Sequence, residues 1–133
     1  MNEVTVGEWM HRGVISCAAE TPVAEVAALM DSNDISALVV VNDAGDAVGV
    51  ISRTDLVNAR FIQPYLKHWR GMSAEHLMTA PAVTVSPETS IHEAARLLQE
   101  KHIHRLVVAE EISGHVRPLG ILSVTDLAKH VGE

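Results

Sequence analysis

The sequence predicts an α+β fold made of two tandem β-α-β-β-α units. The main observation is an internal repeat, because residues 9–40 align without a gap with residues 77–108. After a short insertion in a polar loop, residues 49–56, GVISRTDL, align in the same way with residues 120–127, GILSVTDL. The second observation is that the apolar spacing within each copy changes from extended to helical and then back to extended.

We expect the chain to divide into a first repeat over residues 1–60, a helical linker over 61–75 and a second repeat over 76–133. Each repeat is too short to bury a good core alone, so the two should form one compact module. The linker region holds three of the four large aromatic residues and one proline that interrupts a helix; they are Phe61, Tyr65, Trp69 and Pro64. We interpret this segment as a clamp on the two halves.

Each repeat begins with a short extended segment, residues 14–17 in one copy and 83–85 in the other, that ends at a turn. A helix follows, predicted by apolar residues at the i, i+3, i+4, i+7 spacing of one buried face. These residues are Val23, Val26, Ala27 and Met30 in the first copy and Ile91, Ala94, Ala95 and Leu98 in the second. Pro22 suits the first helical position, and Ser90 with Glu93 has capping-box spacing.

Two strands complete the sheet of each repeat. Aliphatic, β-branched runs predict them over residues 38–41 and 47–51 in the first copy and over 106–109 and 119–122 in the second. Polar hairpin loops join the strands of each pair, and the last strand leads directly into a second helix.

The composition excludes several classes of protein. Aromatic residues are 3% of the chain and the net charge is −7, which argues against base stacking and against attraction to a nucleic-acid backbone. The single cysteine, Cys17, forms no internal disulfide and is expected in the core. Because no apolar run approaches the length of a membrane span, we expect a soluble, cytoplasmic protein that does not insert into membranes.

Ser52 and Asp55, like Ser123 and Asp126, stand where a strand passes into a helix. At such a junction a carboxylate can accept both hydroxyls of a ribose, so Asp55 and Asp126 are our candidate ribose ligands. Nearby hydroxyls would contact phosphate, and these belong to Ser52, Thr54, Ser123 and Thr125. The alternative is structural, because the same spacing is typical of a capped helix start.

A dense basic cluster, Lys101-His102-Ile103-His104-Arg105, leads into a strand of the second repeat. Arginine binds phosphate oxygens with a rigid fork and histidine donates hydrogen bonds, so His104 and Arg105 are candidate phosphate contacts. The alternative is an ordinary solvated loop. The first repeat has Ser36-Ala37 at the same positions, so its cleft should differ, although Arg53 could replace the missing charge.

The order of these segments resembles the cystathionine β-synthase (CBS) domain family. The resemblance covers nearly the whole chain and is most specific in residues 77–79, 83–87, 103–108 and 120–126. It implies two repeats packed about a pseudo-twofold axis, with two related clefts for adenosine-containing ligands such as AMP, ADP, ATP, NAD or S-adenosylmethionine. It also implies homodimers. In this family the first extended segment contacts adenine, which implies Ile15, Ser16, Val83 and Thr84. Phosphate groups in this family often reach basic residues of the neighbouring repeat, so the resemblance leaves open which cleft uses His104 and Arg105.

The function expected from these observations is regulation. The chain contains no nucleophile elbow or Walker loop, so we expect neither an enzyme nor an obligatory cofactor, and its eight histidines lack the spacing of a metal site. An adenine nucleotide, most simply AMP, ADP or ATP, would act as a regulatory ligand and the response would pass to an unidentified effector protein. The alternatives are a ligand-free dimerisation scaffold or a sensor of S-adenosylmethionine or NAD.

Overall fold

The computed structural model describes residues 3–62 and 71–132, and these form two compact units. The first-repeat unit comprises the described part of residues 15–82. The second-repeat unit comprises the described residues from Val83 onward together with the N-terminal segment up to Val14. No helix among the described residues is long and apolar enough to cross a bilayer.

The first-repeat unit contains a three-stranded sheet of order β2-β3-β4. Strand β2 (Ser16–Ala18) runs parallel to β3 (Ala37–Val41), which pairs antiparallel with β4 (Ala47–Ser52). Helix α2 (Val23–Asn33) connects β2 to β3, and α3 (Arg53–Val57) follows β4 directly. The parallel pair requires this helical crossover, which is why the helix lies between two strands in the sequence.

A π-helical stretch, Asn58–Ile62, continues α3, and Phe61 within it is 73% exposed. The unit also contains the short helix α4 (Ala74–Leu77). Pro64, Tyr65 and Trp69 lie outside the described residues, so the helical clamp expected there stays a prediction.

The second-repeat unit repeats this architecture and adds one strand, giving the order β1-β7-β6-β5. Its elements in chain order are α1 (Val6–Trp9), β1 (His11–Arg12), β5 (Thr84–Val85), α5 (Ile91–Lys101), β6 (Arg105–Ile112), β7 (His115–Ser123) and α6 (Val124–Ala128). Strand β5 is parallel to β6, whereas β6 and β1 each pair antiparallel with β7.

Three of the four residues in each predicted helix stripe are buried, and the fourth, Ala27 or Ala95, is half-buried. The start of α5 differs in detail from the capping box that the sequence predicts. The Ser90 hydroxyl accepts a hydrogen bond from the Glu93 backbone N–H at 3.2 Å. The Glu93 carboxylate instead accepts from Arg96, one turn further along the helix, so only half of the box forms. Pro22 is the N-cap rather than the first helical residue.

The hairpin of the second repeat is longer than the apolar pattern predicted. Strands β6 and β7 extend to a two-residue turn at Ser113-Gly114, where φ is 51° and 81°. Positive φ at both positions matches the turn that best fits twisted antiparallel strands. The extension escaped the sequence pattern because its residues, such as Glu110 and Glu111, are polar and exposed.

The core of each unit includes a segment from elsewhere in the chain. The N-terminal segment, which precedes the first repeat, packs into the second-repeat unit, and the segment that precedes the second repeat packs into the first-repeat unit. Val6 is fully buried in the second-repeat core and its N–H donates to Thr89 O at 2.8 Å. In the first-repeat unit, Ala74 packs into the core and its N–H donates to Thr21 O at 2.9 Å. The division of the chain into compact units therefore does not follow the order of the two sequence repeats.

Two glycines at equivalent positions of the two repeats leave room for these segments to pack. A Cβ on Gly49 would lie 2.6 Å from Met78 Sδ, and one on Gly120 would lie 3.2 Å from Met10 Sδ and closer still to His11 O. Glycine is used at both positions because the backbone of the docked segment passes directly over the strand.

We expect Val6→Ala to destabilise the protein by about 2 kcal/mol, because it removes a fully buried side chain and leaves a cavity. Urea unfolding measures the change. The matched control is Val131→Ala, the same substitution at a position 82% exposed, which should alter the free energy of unfolding little. Equal effects of the two substitutions would contradict the docking of the N-terminal segment.

Cys17 lies in the first-repeat core and is 7% exposed, as its sequence context predicts. Burial raises the pKa of the thiol and nearby Glu25 raises it further, against a smaller opposite effect of the Thr21 hydrogen bond. The thiolate is therefore disfavoured in the folded state.

We expect iodoacetamide to alkylate Cys17 at least about tenfold more slowly in the native protein than in the urea-unfolded chain. Folding raises the pKa of the Cys17 thiol. The stability that the thiol contributes is therefore fully present below its pKa in the unfolded chain and is lost as the pH rises through its pKa in the folded protein. Mass spectrometry reports the reaction unambiguously because the chain has one cysteine. Equal rates in the two states would show that the thiol is not shielded.

Candidate functional site

In each unit, the beginnings of two parallel strands and the end of the third strand meet at one end of the sheet. This arrangement follows from the topology, because the third strand runs antiparallel to the other two. The residues singled out in the sequence lie at this end of the sheet in both units.

In the second-repeat unit, Arg105 at the start of β6 is the cross-strand partner of Ser123 at the end of β7. The Val124 N–H donates to His104 O at 3.0 Å, which joins the basic cluster to the strand-to-helix junction. On the other side of β6, the Val107 N–H donates to Val83 O at 3.0 Å. The structure thus gathers the predicted adenine, ribose and phosphate residues of this repeat at one end of one sheet.

The first-repeat unit has the same backbone arrangement. Ala37 pairs with Ser52, and the Arg53 N–H donates to Ser36 O at 2.9 Å. The Val39 N–H donates to Ile15 O at 3.3 Å, and Ser16 is the strand partner of Val39. The two sheet ends therefore share one backbone pattern and differ in the side chains that they carry.

Reciprocal hydrogen bonds form a complete capping box at each junction. The Ser52 N–H and hydroxyl donate to Asp55 Oδ2 at 2.8 Å and 3.0 Å, and the Asp55 N–H donates to the Ser52 hydroxyl at 3.2 Å. Ser123 and Asp126 repeat the same three bonds at the same distances. The structural interpretation of Ser-x-x-Asp is therefore confirmed as a helix cap.

The cap does not use the whole carboxylate. Only Oδ2 of each aspartate takes part in the box, which leaves Oδ1 for other partners. Asp126 Oδ1 lies 4.0 Å from Lys129 Nζ, on the exposed side of α6. Thr54 and Thr125, which follow the serines, are exposed. A capping role and a ligand-binding role are thus compatible at both junctions.

Arg53 makes contacts that the sequence pattern does not predict. Its Nε donates to Ile35 O at 2.9 Å, and its Nη2 donates to Met30 O at 3.4 Å. Its Nη1 lies 3.7 Å from Asp31 Oδ1. A cation at a helix C-terminus is favoured by the carbonyl dipoles there, so the guanidinium serves as a cap for the end of α2.

The equivalent position in the second repeat is Val124, an uncharged side chain that lines a groove there. A groove of about 610 Å³ remains between α5 and α6, lined at its base by Leu98, Ile103 and Leu127 and at its rim by His102 and His104. The charged contacts of Arg53 therefore belong to one repeat alone. Comparison of the two copies, arginine against valine, was the signal in the sequence that could have revealed this difference.

The CBS domain matches residues 6–61 and 74–133, which together make up most of the chain. The chain belongs to the CBS domain family. Its two repeat units are thus a pair of CBS domains, and the mixed fold agrees with solved structures of such pairs.

Solved structures similar to this CBS pair cover nearly all of its length. An uncharacterised conserved protein from Pyrococcus horikoshii is 27% identical with a TM-score of 0.79, over 100% of this chain and 96% of that one. CBSX2, a CBS-pair protein of Arabidopsis thaliana that has been solved in complex with AMP, is 28% identical with a TM-score of 0.75, over 95% and 94% of the two chains.

Curated relatives are longer than this chain. An uncharacterised protein of Methanopyrus kandleri is 29% identical over 96% of the CBS pair and 62% of its own length. An inosine-5'-monophosphate dehydrogenase of Staphylococcus saprophyticus is 33% identical over 96% of the CBS pair, but the match spans only 25% of that enzyme. The CBS pair thus corresponds to one part of these proteins.

We expect Arg53→Val to destabilise the protein by about 1 kcal/mol, because the substitution removes charge-assisted hydrogen bonds to the end of α2. Urea unfolding of Arg53→Val beside Arg53→Lys tests the assignment. Lysine retains the charge but not the planar fork, so its effect should be smaller. Wild-type stability of the valine variant would show that the contacts contribute nothing.

Proposed function

We propose that this CBS pair is a regulatory module that binds an adenine nucleotide, AMP, ADP or ATP, and signals to a partner protein. The observation that carries the proposal is the second-repeat sheet end, where a free strand edge, a carboxylate oxygen and a basic pair come together in a CBS domain. These three features match the three parts of a nucleotide: base, ribose and phosphate.

The adenine would contact the first strand of each sheet. Because the Val107 N–H bonds to Val83 O, the backbone polar groups of Thr84 point away from β6 toward the edge of the sheet. In the first-repeat unit, Ile15 and Ser16 occupy the positions of Val83 and Thr84 and pair in the same way with β3. Such outward backbone groups distinguish adenine from guanine by the pattern of donors and acceptors that they offer.

Ribose and phosphate would lie at the strand-to-helix junction. Asp126 Oδ1 and Asp55 Oδ1, which the capping boxes leave over, would accept the ribose hydroxyls. Arg105 and His104 would contact the phosphate of a bound nucleotide, with the exposed Thr125 hydroxyl as a further donor. The capping box would hold each carboxylate in place before the ligand arrives, which limits the entropy lost on binding.

Signalling requires only that the nucleotide bind two arrangements of the protein with different affinities. A nucleotide that binds one arrangement of the module or of its dimer more tightly than another shifts the population toward that arrangement, and no bond is broken. A homodimer and a separate effector protein are part of this proposal. CBSX2, of similar length and solved with AMP, supports the ligand class.

A second candidate function is a ligand-free dimerisation scaffold. The observation that favours it is the completeness of the two capping boxes, which explains both Ser-x-x-Asp motifs without any ligand. The two candidates differ in what the carboxylates do beyond the cap.

We expect AMP, ADP or ATP to raise the unfolding temperature, since a ligand at about 100 times its Kd stabilises the native state by about 2.7 kcal/mol. Asp126→Asn and Asp55→Asn should each weaken binding at their own site. The matched control is Ser90→Ala, which should cost about 1 kcal/mol of stability by removing the cap of α5 and yet leave the candidate site unchanged.

A thermal-shift panel of AMP, ADP, ATP, NAD, S-adenosylmethionine and GTP, followed by calorimetry on the responders, makes this measurement. A shift with an adenine nucleotide that Asp126→Asn reduces and Ser90→Ala retains would support the sensor. If no adenosine compound shifts the unfolding temperature, the proposal is wrong and the scaffold is the better account.

A further inference from the structure

The hairpin of the second-repeat unit extends beyond the rest of its sheet. Strand β6 pairs with β7 as far as Ile112, whereas β5 pairs only with Val107 and Val108. The pairing of β5 cannot continue through Pro87, because a proline has no N–H to donate to β6. The stretch of residues 109–112, the β6 edge, therefore has no strand beside it on the β5 side among the described residues.

The outward backbone groups of the β6 edge belong to Glu111. The Val107 N–H donates to Val83 O, so the backbone of Val107 faces β5, and every second residue along a strand repeats this direction. Ala109 follows the rule, since it lies opposite Pro118, which has no N–H to offer it. At Glu111 strand β5 has ended, and no other described residue bonds to the outward N–H and C=O. An added strand would find a donor and an acceptor there.

A groove of about 370 Å³ lies beside the β6 edge. It is lined by Glu110 and Glu111 of β6 and by Ser86–Glu88, the segment that follows β5. A neighbouring strand in a sheet lies about 4.8 Å away, so a segment in this groove would reach the Glu111 backbone. Arg105 precedes Glu111 by six residues on β6, a distance of about 20 Å. Of the candidate nucleotide-site residues the groove includes only Thr84, so it lies mostly outside that site.

Three carboxylates give the groove a negative charge. Glu88, Glu110 and Glu111 are exposed, and none of them forms an ion pair with a residue in the described part of the chain. Opposite charges on neighbouring strands stabilise their pairing, whereas like charges oppose it. The groove therefore fits an added strand that carries lysine or arginine. A second copy of this chain is disfavoured, because pairing of two β6 edges would bring these carboxylates together.

The order of side chains along the β6 edge specifies the partner strand further. Glu110 and Glu111 are consecutive, so their side chains point to opposite faces of the sheet. Ile112, the next residue, is 47% exposed and offers an apolar contact. An added strand with two adjacent basic residues, flanked by β-branched apolar residues, would match both features.

The first repeat offers no equivalent edge in its described residues. Strand β2 pairs with β3 up to the last residue of β3, Val41. The loop that follows is closed on itself, because Asn42 Oδ1 accepts hydrogen bonds from the Ala44 and Asp46 N–H groups, each at 3.0 Å. The insertion in the polar loop of the second repeat thus builds a surface that the first repeat lacks.

We propose that the β6 edge binds an extended, basic segment of a partner protein as an added strand. The outward backbone groups of Glu111 supply hydrogen bonds, and the carboxylates around the groove select the charge of the segment. This inference adds a docking surface to the proposed function and rests on it only for the existence of a partner. Nucleotide binding is not required, because the groove lies mostly outside the nucleotide site.

Synthetic peptides probe the surface on the full chain without nucleotide. The probe is the acetylated, amidated hexapeptide Thr-Val-Lys-Lys-Val-Thr, and its control has glutamate in place of both lysines. We expect calorimetry to detect the lysine peptide and to show at least about tenfold weaker binding of the glutamate peptide. Glu110→Lys with Glu111→Lys should reverse this preference. Asp43→Lys with Glu20→Lys, in exposed loops of the first-repeat unit, changes the net charge equally and should not reverse it.

Backbone bonding is tested separately from charge. Methylation of both lysine amides removes the central donors on both edges of the probe and keeps its charge, so binding should weaken at least about fivefold. On the protein, Glu111→Pro removes the outward N–H and leaves the bonds between β6 and β7, whereas Glu111→Ala removes only the carboxylate. Glu111→Pro should bind the probe at least about fivefold more weakly than Glu111→Ala. The unfolding temperature of each variant verifies that it folds.

The proposal is overturned if the wild-type protein does not bind the probe or binds the lysine and glutamate peptides alike. Equal binding of the methylated probe would show that no strand is added. If Glu110→Ala with Glu111→Ala makes the protein self-associate in sedimentation and leaves probe binding unchanged, the carboxylates only shield the edge, and the proposal is again wrong. The adenine-nucleotide panel is a separate measurement, so its failure would refute nucleotide sensing and leave the peptide titrations unaffected.

Discussion

The reciprocal hydrogen bonds between a serine and the aspartate three residues later fix the point at which each sheet ends and a helix begins. Ser52 and Ser123 are the last residues of β4 and β7, and their N–H groups are held by the carboxylates of Asp55 and Asp126. Because each serine is also the cross-strand partner of the first residue of β3 or β6, the box aligns the sheet end. The candidate site depends on this alignment, since its residues lie on three different strands.

A second constraint is that neither repeat closes its core with its own contiguous chain. Val6 and Met10 enter the second-repeat core from the N-terminal segment, and Ala74 enters the first-repeat core from the segment before the second repeat. Gly49 and Gly120 allow the docked backbone to pass over the strand. The stability of each unit therefore depends on a segment that lies close to the other repeat in the sequence.

Duplication has conserved the backbone and changed the charges. The capping boxes agree in every bond, and both central helices end in a residue with positive φ, Asp34 in one copy and His102 in the other. Arg53 caps the end of α2 in the first-repeat unit, whereas the aligned Val124 lines a groove in the second-repeat unit. The two sheet ends therefore share one backbone pattern and differ in the charged side chains that they carry.

Much of the fold was determined by the sequence itself, because apolar periodicity and the internal repeat are local signals. The helix stripe from Val23 to Met30 and the junctions at Asp55 and Asp126 are where the sequence predicted them. Only the tertiary structure decided which segment completes each core and where the Arg53 guanidinium binds. Both depend on contacts between residues distant in the chain, and periodicity carries no information about such partners.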